Sequence, residues 1–173
     1  NCLVGSEMCI RDSTTYHPEL KLSKNIIASD NLKDVLNNKS IIFIATPSIV
    51  FEQIVIRVSD YIDEKPYLVS CTKGILDDPF RLLSDIISSK LKNTIGVLSG
   101  PNLAKEIADE KIAGTVIASP DESLINIVKS VLSSETFKIY SSKDMQGVEM
   151  AGALKNIYAV ICGMAESLKV GEN

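Results

Sequence analysis

The sequence has few of the residues from which metal sites and disulfide frameworks are built. It contains four cysteines, one histidine and no tryptophan among its 173 residues. No two cysteines form a C-x-x-C pair and no histidines cluster, so neither a zinc site nor a disulfide scaffold is predicted. Reduced thiols suit a cytoplasmic protein. We therefore expect no metal and a cytoplasmic location.

A general basic field and a membrane-length apolar run are missing as well. The formal net charge is −4, with 18 basic and 22 acidic residues, which gives nucleic acid no overall attraction. The longest unbroken apolar run covers residues 157–165, well short of the roughly 20 residues that cross a bilayer. We expect neither a nucleic-acid partner nor a membrane span, and an anionic ligand would need a local basic site.

The first residues, NCLVGSEMCIRDS, match neither a strand nor an amphipathic helix. They also lack the cationic start and long apolar stretch of a signal peptide. The string resembles translated adapter sequence at the ends of some environmental sequencing reads. We therefore predict that residues 1–13 are not native to the protein.

From residue 25 onward, short β-branched runs alternate with longer amphipathic runs. Strands separated by about 10 to 15 helical residues predict β-α-β units. The predicted strands are 25–29, 40–46, 67–72, 94–99, 114–119 and 137–141. The predicted helices are 30–38, 48–62, 78–91, 101–110, 121–134 and 143–168.

Three central runs, IIFIA, YLVSC and IGVLS, are continuously apolar. They do not alternate apolar and polar residues, as a strand with one solvent-exposed face would. Continuous apolar runs are typical of parallel strands covered by helices on both sides. The predicted fold class is α/β: a Rossmann-like, mostly parallel sheet with helices on both faces.

Predicted strands end in unusual residues: ATPS at 45–48, CTKG at 71–74 and LSGPN at 98–102. Each alone is compatible with a simple turn. Together they would lie at the carboxyl edge, where open α/β sheets bind ligands, with glycines that admit close approach and Lys73 as a positive charge. This favours a phosphorylated or dinucleotide ligand, although the usual phosphate loop, G-x-G-x-x-G, is absent from the sequence.

Near the end, EMAGALKNIYAVICGMAESL carries Lys155 among small and apolar residues. Its stem could pack on apolar surface while the amine reaches water, or the amine could point into a cleft. A lysine near a second cation is suited to general acid catalysis, and Lys73 is the natural neighbour. The residues alone leave both interpretations open. Glu149 and Glu166 are expected to be solvated near helix ends, without a role.

These blocks, in this order, resemble the cytoplasmic NAD(P)-dependent glycerol-3-phosphate dehydrogenases of bacteria. IATPS is similar to the family's cofactor-contacting strand end, SCTKGI to its TKG motif, and LSGPNLAKEIA to its most diagnostic block. GALKNIYAVICGMAESLKVGEN resembles the catalytic helix and the G-x-N turn after it. The resemblance covers essentially everything after residues 1–13.

The resemblance implies NAD(P)H-dependent reduction of dihydroxyacetone phosphate to sn-glycerol 3-phosphate, for glycerophospholipid synthesis. Lys155 would be the catalytic proton donor and would touch the substrate. The other implied contacts are Gly100 and Asn102 to the substrate, Lys73 to both substrate and cofactor, and Pro47 and Ala104 to NAD or NADP. Asn102 stands where the family often has Ser or Thr, which changes the geometry of its hydrogen bonds.

The same resemblance divides the chain into two domains. Residues 14–142 would form a partial NAD(P)-binding domain that lacks its first β-α-β unit, and 143–173 would start an all-helical substrate domain. The polypeptide as written is expected to be inactive, while the full-length form could be a homodimer. Two alternatives stay open: a nucleotide-binding regulatory domain without catalysis, which has no need of Lys155, and another two-domain reductase, against which the SGPNLAKE block argues.

Overall fold

A computed structural model describes residues 25–170, so the predictions made for residues 1–13 lie outside the described part. The strands are β1 (Ile41–Ile44), β2 (Tyr67–Ser70), β3 (Ile75–Asp77), β4 (Phe80–Leu82), β5 (Ile95–Ser99), β6 (Ala113–Ala118) and β7 (Phe137–Ser142). The α-helices are α1 (Leu32–Leu36), α2 (Phe51–Ser59), α3 (Leu83–Lys90), α4 (Ala104–Ala108), α5 (Glu122–Leu132) and α6 (Met145–Leu168). A 3₁₀ turn, Ser48–Val50, leads into α2.

The main sheet has the strand order β1-β2-β5-β6-β7. Strands β1, β2 and β5 are parallel, with Ile44 opposite Ser70 and Ser70 opposite Val97. Strand β6 is antiparallel to β5 and parallel to β7. The mostly parallel sheet is therefore confirmed, and the carboxyl ends of the three apolar strands meet at one edge, beside the beginning of β6.

The two faces of the sheet are covered by different helices. Leu68 packs with Phe51 of α2 and with Leu83 of α3, whereas its neighbour Val69 packs with Leu124 of α5. Successive residues of a strand point to opposite faces, which explains why a continuously apolar strand is needed here. Complete burial of such side chains stabilises the fold by about 1.5–3 kcal/mol each. The prediction of helices on both faces is confirmed.

The structure differs from the predicted elements at two places. Residues 25–29 form no strand, and Ile26 and Ile27 are 52% and 88% exposed, so the β-branched run has no sheet to pack in among the described residues. At the start of the predicted helix 78–91, β4 instead pairs antiparallel with β3, which precedes the predicted helix, and only Leu83–Lys90 is helical. Proline lacks an N–H and disfavours a helical residue before it, so Pro79 fits the turn between the strands.

The hairpin is held on α2 by an ion pair. Arg81 of β4 donates from Nη1 and Nη2 to the two carboxylate oxygens of Glu52, at 3.2 and 2.9 Å. The hydrogen bonds from Arg81 lower the pKa of Glu52. A bidentate ion pair of this kind fixes the relative orientation of the two side chains as well as their distance. It places β4 where the last helix, α6, can pack against it.

Helix α6 begins at an aspartate cap and has a largely exposed second half. Asp144 Oδ1 accepts a hydrogen bond from Gly147 N at 2.8 Å, which satisfies one of the free amides of the first turn. The exposed apolar side chains of the second half are Ile157, Tyr158, Val160, Ile161, Met164 and Leu168. By length and composition this helix could cross a membrane, unlike the shorter run 157–165 considered alone. Core helices of soluble proteins share this length and composition.

Candidate active site

The ends of β1 and β2 are joined by one threonine hydroxyl. Thr72 Oγ1 accepts a hydrogen bond from Thr46 N at 3.1 Å and lies 2.9 Å from Thr46 O, to which it donates. The threonine hydroxyl thus makes the hydrogen bonds to Thr46 that a backbone partner would make if the two strands continued. It fixes the loop 45–48 against the loop 71–74.

Gly74 brings the same two loops into closer contact. Its φ of 149° is unfavourable for residues with a side chain, and an added Cβ would lie 2.7 Å from Ser48 Cβ. Glycine is therefore needed for the chain to turn past the 3₁₀ segment. The sequence predicted that Gly74 lets a ligand approach the backbone; in the structure the close neighbour of Gly74 is the side chain of Ser48.

Lys73 connects the second loop to the third. Its Nζ donates a hydrogen bond to Gly100 O at 2.8 Å, and the side chain is partly buried. Burial, and then the positive charge of Lys155, lower the pKa of Lys73. Two of the predicted site residues are thus in direct contact, and a third acts on them through its charge.

The loop after β5 lies tightly on the start of β6. A Cβ on Gly100 would come within 2.8 Å of Gly114 O and of Thr115 Cα, so only glycine fits without a backbone shift. Asn102 Nδ2 donates to Thr115 Oγ1 at 3.1 Å, while its buried Oδ1 accepts no hydrogen bond from the described residues. A buried acceptor without a partner is costly, so Asn102 is suited to receive a donor from a ligand.

Helix α6 reaches this edge through Gly152. A Cβ at that position would overlap Ser99 Oγ and would lie 3.9 Å from Lys73 Cγ, so the helix backbone rests directly on the end of β5. Lys155 follows one turn later. Its side chain is exposed, which agrees with the interpretation in which the amine reaches water. Its positive charge nevertheless contributes to lowering the pKa of Lys73. The helix therefore places a second cation near the carboxyl edge of the sheet.

The remaining predicted residues border the same edge. Pro47 is exposed just after β1, and Ala104 is exposed as the first residue of α4. A separate cavity of about 570 Å³ includes Asn38, Tyr61 and Lys65, before β1 and β2, and contains none of the predicted site residues. The chemistry predicted from the sequence therefore concentrates at the carboxyl edge rather than in that cavity.

Sequence reasoning missed Glu149, and the expectation that it is solvated is wrong. It is only 2% exposed, and both its carboxylate oxygens accept hydrogen bonds from Ser84. Its three-residue spacing from Gly152 was the available signal, since positions three apart lie on neighbouring parts of one side of a helix. The sequence favoured small core residues at both Cys71 and Cys162. Cys71 packs against the core, where burial raises the pKa of its thiol to about 11, whereas Cys162 is exposed, so that expectation was wrong for Cys162.

The mostly parallel sheet with helices on both faces defines a Rossmann-like α/β domain, followed by the first helix of a second domain. Residues 9–125 match the family model for the NAD-dependent glycerol-3-phosphate dehydrogenase N-terminus, and residues 144–173 match the model for its C-terminus. The chain therefore belongs to the NAD-dependent glycerol-3-phosphate dehydrogenase family. The resemblance stated from its motifs is confirmed.

Individual relatives agree with the family models. The chain is 46% identical over 164 residues to a glycerol-3-phosphate dehydrogenase [NAD(P)+] of Alcanivorax borkumensis, and 42% identical to one of Teredinibacter turnerae. Each match covers 94% of this chain and 48% of the relative, so the chain spans about half their length. A crystal structure of glycerol-3-phosphate dehydrogenase from Coxiella burnetii matches with a TM-score of 0.85 and 31% identity, over 96% of this chain and 52% of that one.

Proposed function

We propose that the complete protein containing this chain reduces dihydroxyacetone phosphate to sn-glycerol 3-phosphate with NADH or NADPH. The observation that supports this most strongly is the meeting of Lys73, Gly100 and the Lys155 helix at the carboxyl edge of the sheet. Family membership gives the reaction class, and the edge supplies groups that this reaction needs.

The chemistry requires a cation and a proton donor beside a carbonyl oxygen. When hydride adds to the carbonyl carbon, negative charge develops on that oxygen, and a positioned ammonium group can stabilise it and then protonate it. Lys155 is exposed and lies one turn beyond Gly152, which rests on the end of β5, so we assign it the role of general acid. Lys73 already donates a hydrogen bond to Gly100 O, so it is better suited to binding the substrate and cofactor than to proton transfer.

The residues at the edge fit a phosphorylated substrate and a dinucleotide. Lys73 offers positive charge, and the buried Asn102 Oδ1 can accept a hydrogen bond from a substrate hydroxyl. Gly100 would contact the substrate, while Pro47, Ala104 and Lys73 would contact the cofactor. The nicotinamide ring would supply the hydride when bound. A small phosphorylated substrate, a cytoplasmic location and assembly of the full-length enzyme as a homodimer complete the proposal.

The second domain is proposed to cover the exposed half of α6. Residues 143–173 would begin this helical substrate domain, and the apolar side chains from Ile157 onward would pack within it. Large exposed apolar surfaces are normally covered by protein or by a membrane. The relatives are about twice as long as this chain, which supports cover by protein.

A chimera tests the proposal. The matched 164 residues of the Alcanivorax borkumensis relative would be replaced by those of this chain, and NADH or NADPH oxidation would be followed spectrophotometrically. We expect turnover that depends on dihydroxyacetone phosphate and is much weaker with unphosphorylated dihydroxyacetone. A folded chimera that binds NADH without turning over would support the regulatory alternative instead. Turnover of ketopantoate in place of dihydroxyacetone phosphate would support a different reductase.

A further inference from the structure

Glu149 forms a buried contact between α6 and α3. Its Oε1 accepts a hydrogen bond from Ser84 N at 3.0 Å, and its Oε2 accepts one from Ser84 Oγ at 2.5 Å. The two residues are 65 positions apart in the chain. The site described above does not use this carboxylate, and a buried carboxylate needs a strong structural reason.

The contact provides a hydrogen-bond acceptor for a backbone N–H in the first turn of α3. The first amides of a helix have no partner within the helix, and the residue before α3 is Leu82, whose side chain provides no cap. The Glu149 carboxylate takes that place, because a negative charge is favourable at a helix N-terminus. Burial raises the pKa of Glu149, while the hydrogen bonds from Ser84 oppose that rise. One side chain thus caps α3 and holds α6.

The spacing along α6 links this contact to the edge of the sheet. Gly152 and Lys155 follow Glu149 at successive intervals of three residues, which places the three positions within about 120° around the helix. Gly152 rests on Ser99, one turn beyond the Glu149 contact. The helix packs against β4, β5 and β6, and beyond Lys155 its described side chains are mostly exposed. The contacts before Lys155 therefore set its position.

We propose that Glu149 is a positioning residue for the reaction. Its bonds to Ser84, together with the contact of Gly152 on Ser99, fix the rotation of α6 and its position along its axis, and so hold Lys155 at the carboxyl edge of the sheet. The chemical consequence rests on the proposed function, whereas the mechanical one does not. The two can therefore be tested separately.

Amide hydrogen exchange on the 173-residue chain tests the mechanical part. Glu149→Ala should speed exchange in the first half of α6 by at least ~10-fold, the scale of losing hydrogen bonds to a charged group, while β1, β2 and β5 stay protected. Glu149→Gln should restore protection, since an amide can accept from Ser84 N and donate to Ser84 Oγ. Glu166→Ala, which changes an exposed glutamate on the same helix, is the matched control. Unchanged exchange in Glu149→Ala, or equal acceleration in every strand, would overturn the proposal.

Kinetics of the chimera test the chemical part. Glu149→Ala should lower kcat per folded molecule by at least ~10-fold with KM for NADH within ~2-fold, because misplacing a reacting group by about 1 Å can cost ~100-fold. A purely stabilising residue would leave kcat per folded molecule unchanged. Ser84→Ala, which keeps the backbone N–H, should lower kcat in the same direction and replaces Glu149→Ala if that variant does not fold.

The outcomes separate the two proposals. An inactive parent chimera would contradict the proposed function and leave the exchange result as the test of Glu149. An active chimera with unchanged kcat in the folded Glu149 or Ser84 variant would contradict the positioning role alone. A loss of kcat that Glu149→Gln recovers would support both.

Discussion

The closeness of α6 to the sheet can be tested by adding one methyl group at Gly152. Alanine is favoured over glycine in a helix interior by about 1 kcal/mol, so Gly152→Ala would stabilise the chain if the site were open. Instead the new Cβ would overlap Ser99 Oγ and lie 3.3 Å from Ser99 Cβ. Overpacking of this kind costs about 1–3 kcal/mol, which cancels or exceeds the gain. We expect a net change between zero and about 2 kcal/mol destabilising.

The same helix provides a matched control. A Cβ on Gly163 would meet nothing within 4 Å, so Gly163→Ala should show the helical gain without the overlap. Ser99→Ala removes the hydroxyl from the contact and should make Gly152→Ala more favourable. In a double-mutant cycle we expect the two substitutions to couple by about 1–2 kcal/mol.

Urea unfolding of the 173-residue chain, followed by far-ultraviolet circular dichroism, gives the free energies for this cycle. Amide exchange of α6 reports the local effect at Gly163, where the helix end can open separately from the core. If Gly152→Ala stabilised α6 as much as Gly163→Ala and did not couple to Ser99→Ala, the helix would not rest on β5 as described. The inferred position of Lys155 would then be wrong as well.

Three further predictions concern the loops at the carboxyl edge of the sheet. In the chimera, Lys73→Ala should weaken cofactor and substrate binding together, by about 1–3 kcal/mol for a charge-assisted contact, and unchanged KM values for both would exclude a binding role. In the 173-residue chain, Thr72→Val should lower the free energy of unfolding by about 1–3 kcal/mol because Thr46 N loses its acceptor, whereas Thr72→Ser should retain most of it. Equal values for the valine and serine variants would contradict this. Since burial raises the pKa of Cys71 to about 11, its alkylation near pH 8 should be at least ~100-fold slower than that of a free thiol, measured by mass spectrometry with the exposed Cys162 as an internal control. Comparable labelling of the two cysteines would show that Cys71 is accessible.

The meeting of the candidate site residues at the carboxyl edge of the sheet was predictable because it follows from local sequence signals and one topological rule. Continuously apolar runs ending in ATPS, CTKG and LSGPN indicated parallel strands, and parallel strands place their carboxyl ends together. That is why Lys73 and Gly100 could be expected to be close, and they are hydrogen-bonded. The reversal of β6 relative to β5 has no comparable signal, because strand direction depends on the path of the connecting chain.

The missed features depend on partners that are distant in the sequence. The acceptor of Ser84 lies on another helix, so neither Glu149 nor Ser84 indicates the contact when considered alone. Strand β4 was missed because its residues, 80–82, were assigned to the predicted helix 78–91, although Pro79 is unfavourable for a helix that begins at residue 78. The run 25–29 was wrongly predicted as a strand, because β-branched residues form a strand only where a neighbouring strand can pair with them.

The central claim is that α6 brings Lys155 to the edge of the sheet as the proton donor. The most direct test is the kcat of the Lys155→Met chimera for reduction of dihydroxyacetone phosphate, with NADH affinity measured separately by calorimetry. Lys169→Met, at the end of the same helix, is the control for removing a lysine charge. We predict that kcat falls by at least ~100-fold in Lys155→Met, with NADH affinity nearly unchanged and the control close to the parent chimera. Turnover of Lys155→Met close to that of the parent would contradict the claim.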